Sequence, residues 1–127
     1  MANILLVDDD PDLIEMNRTV LTQRGHTVST AYSAAEARIL AQASLPDVAV
    51  LDVMMEEKTI GFQLARELHA LSPGMLLIMV SGIRKEMHLG YKFEPDQNRL
   101  PVSKFMEKPV NPRILANEID DLLKKKS

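Results

Sequence analysis

Residues 46–52, Pro46-Asp47-Val48-Ala49-Val50-Leu51-Asp52, decide the fold. Four aliphatic residues in a row follow a Pro-Asp turn and stop abruptly on a carboxylate. No polar residue alternates with them, so both faces of the run need burial, as in a strand inside a parallel sheet. Two further runs share this form: Ile4 to Val7 ends on Asp8-Asp9-Asp10, and Leu76 to Val80 ends on Ser81-Gly82. Thr27 to Ala31 and Phe105 to Met106 read as weaker strands.

Between these runs the spacing turns helical. Asp12 to Arg24 puts Leu13, Met16 and Val20 on one face, with Gly25 as its stop. Ser33 and Glu36 form a capping-box pattern for a helix reaching about Ala43. Phe62 to Leu71 carries Leu64, Ala65, Leu68 and Leu71 on a stripe before Ser72-Pro73-Gly74 breaks it. Pro112 to Lys125 groups Leu115, Ile119, Leu122 and Leu123, with Pro112 in the first turn. Strand and helix alternate, which makes a three-layer α/β sandwich the simplest architecture. The anomaly is Ile83 to Lys104, where Gly90, Pro95 and Pro101 oppose a long helix; only a short one near 84–89 is expected there.

The 127 residues suit one domain, and no linker or composition shift divides residues 1–127. An apolar fraction of 46% and a charged fraction of 26% are those of an ordinary soluble globular protein. A net charge of −3 provides no broad basic field, so direct nucleic-acid or anionic-membrane binding is not expected. Lys124, Lys125 and Lys126 read as cations suited to a helix C-terminus. The absence of cysteine excludes disulfides, thiol catalysis and cysteine metal sites. The N-terminal segment reads as neither a signal peptide nor a span, which favours a cytoplasmic location.

In an open parallel sheet, ligands bind in the crevice at the strand C-terminal ends. Those ends supply Asp8, Asp9 and Asp10 from the first strand, Asp52 from the third, Ser81 and Gly82 from the fourth, and Lys108 with Pro109 from the fifth. Carboxylates about 4 Å apart repel by about 4 kcal/mol at an effective dielectric of about 20, so a cation is needed. Hard oxygen donors, with no cysteine and no chelating histidine pair, favour Mg²⁺. An acidic metal pair, a further carboxylate, a hydroxyl and an ammonium suit phosphoryl transfer, which depends on positioning and electrostatics. His26, His69 and His88 have no metal-chelating spacing, and the eight methionines read most simply as core filler.

The strings Ile4 to Asp10, Pro46 to Met55, Val80-Ser81-Gly82 and Phe105-Met106-Glu107-Lys108-Pro109, in this order, resemble the receiver domain of two-component response regulators. The resemblance runs from Asn3 to about Lys124 and is to a single-domain, chemotaxis-regulator-like receiver. It implies a five-stranded parallel sheet of flavodoxin-like order 2-1-3-4-5 with a degenerate or shortened fourth helix. It also implies that Asp52 accepts a phosphoryl group, that Asp9 binds Mg²⁺, and that Asp8 does so directly or through water. Asp52 and the backbone carbonyl of Met54 would be further ligands. Ser81 and Lys108 would contact the phosphoryl oxygens, Gly82 would leave room for the donor, and Ser81 and Phe105 would act as the switch pair. The implied partners are a sensor histidine kinase or phosphotransfer protein upstream and a target protein downstream, with no output domain expected on this chain. A cis Lys108-Pro109 bond is implied as well. Slow self-hydrolysis is expected, because Met54 and Ile83, at the positions flanking the attacking water, cannot orient it strongly.

Two departures accompany the likeness: Glu56 replaces the usual proline after the acceptor, and the connections 56–61 and 81–108 are longer than usual. A haloacid-dehalogenase-type phosphatase would need Thr or Val where Asp12 stands. An EF-hand starting at Asp8 would need Gly at Leu13 and Glu at Thr19. A pseudo-receiver that binds partners without phosphorylation remains as the alternative of the same fold.

Overall fold

The computed structural model describes residues 2–52, 60–81 and 102–126. Strands β1 (Asn3–Val7), β2 (Thr27–Ala31), β3 (Val48–Asp52), β4 (Leu76–Ser81) and β5 (Lys104–Glu107) form one parallel sheet in the order β2-β1-β3-β4-β5. Helices α1 (Pro11–Gln23), α2 (Ala34–Ala43), α3 (Ile60–Leu71) and α4 (Pro112–Lys126) complete the elements among the described residues. This is the flavodoxin-like α/β sandwich implied by the sequence. The short helix predicted near 84–89, and the rest of that segment to residue 101, lie outside the described residues.

The period of two along each strand builds two cores, one on either side of the sheet. Leu5, Val7, Ala49, Leu51, Leu77 and Met79 face α2 and α3, where they meet Ala37, Ala41, Leu64, Ala65 and Leu68. Their neighbours Ile4, Leu6, Val48, Val50, Ile78 and Val80 face Ile14 and Leu21 of α1 and Leu115, Ala116 and Ile119 of α4. Residues on both faces of β3 are buried, as the unbroken run 48–51 requires. Edge strand β2 alternates in exposure and β5 has no fully buried residue, which explains their weaker signal in sequence.

The caps also follow from composition. The Asp10 side chain accepts hydrogen bonds from the backbone N–H groups of Asp12 and Leu13, so α1 starts at Pro11, one residue before the predicted start. Gly25 takes a φ of 92° just beyond that helix, a left-handed value natural for glycine. Ser33 Oγ accepts from Glu36 N–H at 3.2 Å, while Glu36 Oε1 accepts from Tyr32 N–H.

Two helix faces differ from the predicted stripes. Met16 is 52% exposed, and the buried residues of α1 are Ile14 and Leu21, rotating the core face away from Met16. Leu71 is 45% exposed because α3 ends there and Met75 takes over the packing. The remaining predicted stripe residues of α3, Leu64, Ala65 and Leu68, are fully buried.

The C-terminal end of α1 is tied to α4 by a polar cluster. Arg24 donates to Asn117 and Asp120, and His26 Nε2 lies 2.9 Å from Asp120 Oδ1. The backbone N–H of Ala2 donates to His26 Nδ1, so that nitrogen is the acceptor and Nε2–H donates to the carboxylate. Burial by itself would raise the Asp120 pKa, but hydrogen bonds from His26 and Arg24, with the charge of Arg24, hold it below the ordinary carboxylate value. A depressed folded-state pKa stabilises above the unfolded value near about 3.9 and is lost as pH falls through the folded one. Asp120→Asn is therefore expected to lower stability at neutral pH by about 1 kcal/mol or less, since this site is well solvated. In chemical unfolding the difference from wild type should shrink below about pH 4; a difference that grows on acidification would contradict the assignment.

Candidate functional site

β1 and β3 are neighbours, with β2 beyond one and β4 beyond the other. Their C-terminal ends mark the point where the order of connections reverses, the usual ligand crevice of such sheets. Three consecutive aspartates follow β1, and the structure divides their work. Asp10 caps α1, whereas Asp8 accepts the Asp10 N–H on Oδ1 at 2.9 Å and turns Oδ2 toward Lys108. The Asp8 backbone is held in turn by its N–H donating to Ala31 O at the end of β2.

Asp52 ends β3 in the same strand phase as Val48 and Val50, on the α1/α4 side of the sheet. At 4% exposure it is the buried charged residue of the described core. Burying a carboxylate is costly unless it is paired, and Lys108 supplies the pairing. Its Nζ lies 3.3 Å from Asp52 Oδ2 and 3.2 Å from Asp8 Oδ2. Burial would lower the pKa of the ammonium, but the charges and hydrogen bonds of Asp52 and Asp8 outweigh it and raise the value above that of an ordinary lysine. Lys108 is therefore a fixed cation at neutral pH. The Lys108-Pro109 peptide bond is cis, as the resemblance implies.

Carboxylate oxygens of Asp8, Asp9 and Asp52 lie within 4.8 Å of one another. Oxygens around one Mg²⁺ lie about 3.0–4.2 Å apart, so the triad would hold the ion after some contraction, or in part through bound water. Three carboxylates against one ammonium leave two negative charges, which matches a divalent cation. The donor set is all oxygen and includes the exposed Asp9, leaving room for metal-bound water and a phosphoryl group.

The other predicted site residues are less fully described. Ser81 closes β4 in register with Glu107, while its side chain lies outside the described residues. Met54, Gly82 and Ile83 also lie outside them. Phe105 is partly buried and packs against the α2/α3 core, on the face of the sheet opposite Asp52. Sequence reasoning missed Asn17: it lines a cavity beside Asp8, Asp52 and Lys108, and its position four residues after Leu13 and before Leu21, inside an apolar stripe, was the available signal.

A sequence profile for the response regulator receiver domain matches residues 4–120. The chain belongs to this family. Over 122 residues the receiver domain is 34% identical to the transcriptional regulatory protein GlrR of Escherichia coli (strain K12), covering 96% of this chain and 26% of that protein. It is 28% identical to the response regulator SaeR of Staphylococcus aureus (strain USA300), covering 97% of this chain and 51% of that one. The receiver domain thus spans about a quarter of the first relative and about half of the second. Among solved structures, a CheY-like receiver domain protein from Methanospirillum hungatei superposes with a TM-score of 0.82 at 28% identity, covering 99% of this chain and 96% of that one. Receiver domains serve two-component signalling, which is this chain's general role. Among the described residues no helix is long and apolar enough to cross a membrane.

Proposed function

We propose that this receiver domain accepts a phosphoryl group on Asp52, with Mg²⁺ held by Asp8, Asp9, Asp52 and the Met54 carbonyl. The observation that carries the reading is the Lys108 ammonium held between Asp8 Oδ2 and Asp52 Oδ2 at 3.2 and 3.3 Å. A buried carboxylate so paired is aimed at one place, as a nucleophile must be.

In the proposed reaction an Asp52 oxygen attacks phosphorus, the new P–O bond forms the acyl phosphate, and the bond to the donor breaks with its electron pair leaving on the donor. The donor is a phosphohistidine of a sensor kinase or phosphotransfer protein, or a small acyl phosphate. Bound Mg²⁺ supplies charge neutralisation for the phosphoryl oxygens. Lys108 follows the charge as it moves from the carboxylate onto phosphoryl oxygen. The apolar walls around Asp52, among them Val50, Val80 and Leu115, keep solvent from the acyl phosphate on that side. Ser81 and Phe105, on the adjoining strands β4 and β5, then relay the change to the partner-binding face, which includes the segment 83–104. The protein acts as a phosphoacceptor that is consumed and restored with each signal.

Asp9 is exposed and contributes to the acidic triad without burying apolar surface, so Asp9→Ala tests the metal role cleanly. It is expected to raise the Mg²⁺ concentration for half-maximal phosphorylation by acetyl phosphate about tenfold or more while unfolding unchanged. An unchanged Mg²⁺ requirement would exclude Asp9 from the metal site.

A further inference from the structure

The acidic crevice runs back into a partly open cavity of about 30 Å³ between the sheet, α1 and the start of α4. Its walls are aliphatic: Leu6, Val50 and Val80 from the sheet, Leu13 and Ile14 from α1, Leu115 from α4. Four polar side chains interrupt them. Asp8, Asp52 and Lys108 form one end, and Asn17 stands in the wall supplied by α1. Among the described residues, Asn17 Oδ1 is fully buried and has no hydrogen-bond partner.

An unsatisfied buried amide oxygen costs about 1–3 kcal/mol, and native proteins rarely leave one unpaired. A single water needs about 10–15 Å³ of such space together with two or more polar partners. The cavity exceeds that volume and has polar groups at Asn17 and at the Asp8–Asp52–Lys108 cluster. An ammonium has three N–H donors, of which Asp8 and Asp52 take two. Among the described residues the third has no partner, which leaves it to a water in the pocket that Lys108 and Asn17 both line.

We infer that this cavity holds an ordered water, and that Asn17, through that water, is a positioning residue for the Lys108 ammonium. The water donates to Asn17 Oδ1 and accepts from Lys108, so the lysine is braced from behind as well as by its two carboxylates. Asn17 touches neither metal nor phosphoryl group; its effect reaches the reaction only through Lys108. The inference rests on the Asp52 reading above.

The test combines water detection with a pair of variants. In wild type, a long-lived water should give an Overhauser cross-peak to the Asn17 side-chain amide protons, and Asn17→Leu should abolish the long-lived water. At saturating Mg²⁺, phosphorylation of Asn17→Leu by acetyl phosphate should be about fivefold slower, the value of one net hydrogen bond. Asn17→Ser, which keeps an acceptor and admits a second water, should retain most of the wild-type rate. A merely structural role would give the reverse order, because Ser enlarges the cavity and Leu fills it. Absence of a long-lived water in wild type overturns the inference even if Asn17→Leu fails to fold. An Asn17→Leu rate equal to wild type also overturns it, while a wild type that takes no phosphate at all overturns the Asp52 reading instead.

Discussion

Asp52→Asn is expected to abolish phosphorylation by acetyl phosphate, lowering the rate by at least about 10³-fold. The amide matches the carboxylate in shape, so packing around Val50 and Val80 is kept, but its oxygen is a far weaker nucleophile and it gives up the ion pair with Lys108. The fold should survive: Lys108 keeps Asp8 as a partner, and replacing Asp52 relieves repulsion within the acidic triad. Intact-mass spectrometry reads the first effect and chemical unfolding the second. A phosphorylated, normally folded Asp52→Asn protein would overturn the assignment of the acceptor.

Lys108→Ala is expected to act on stability and on chemistry, in ways that Mg²⁺ separates. Without metal, Asp52 loses its counter-ion inside a largely apolar pocket. Breaking a buried pair costs about 3–5 kcal/mol, and partial exposure of Lys108 brings the expected loss to about 2–3 kcal/mol. Added Mg²⁺ should restore much of that loss, since it neutralises the same carboxylates, and so raise the Tm of the variant more than that of wild type. The phosphorylation rate should stay about 10²-fold low even at saturating Mg²⁺, because the fixed charge that meets the moving phosphoryl oxygen is gone. Equal Tm gains from Mg²⁺ in both proteins would contradict the shared electrostatic role. Because the folded-state pKa of Lys108 is raised, its stabilising effect is complete below the unfolded value near about 10.4 and is lost as pH rises through the folded one.

The central strands were legible because burial on both faces leaves an unbroken aliphatic run, as at Val48 to Leu51. Edge strand β5 was shorter in the reading than in the molecule: Lys104 and Glu107 belong to it, yet both are exposed at its ends and their polarity resembles a loop. Helix positions were legible and helix faces less so. Leu13, Met16 and Val20 satisfy helical spacing as well as Ile14 and Leu21 do, and only the direction of the sheet decides between them. In the run Asp8-Asp9-Asp10, identical residues take different work. The turn into α1 commits Asp10 to capping, which composition alone does not reveal. His26 and Asp120 are 94 positions apart, so their contact has no local sequence signal. Asn17 had one, an amide inside an apolar stripe, and its meaning emerges only beside the cavity.

The most direct measurement is the location of the phosphoryl group on the wild-type protein after exposure to acetyl phosphate. Borohydride reduction traps an aspartyl phosphate as homoserine, and peptide mass spectrometry then reads the position. The expected result is modification at Asp52 alone, present with Mg²⁺ and absent when the metal is chelated. Modification at Asp8, Asp9 or another residue in place of Asp52, or modification at Asp52 that persists without metal, would contradict the proposed acceptor and its Mg²⁺ site.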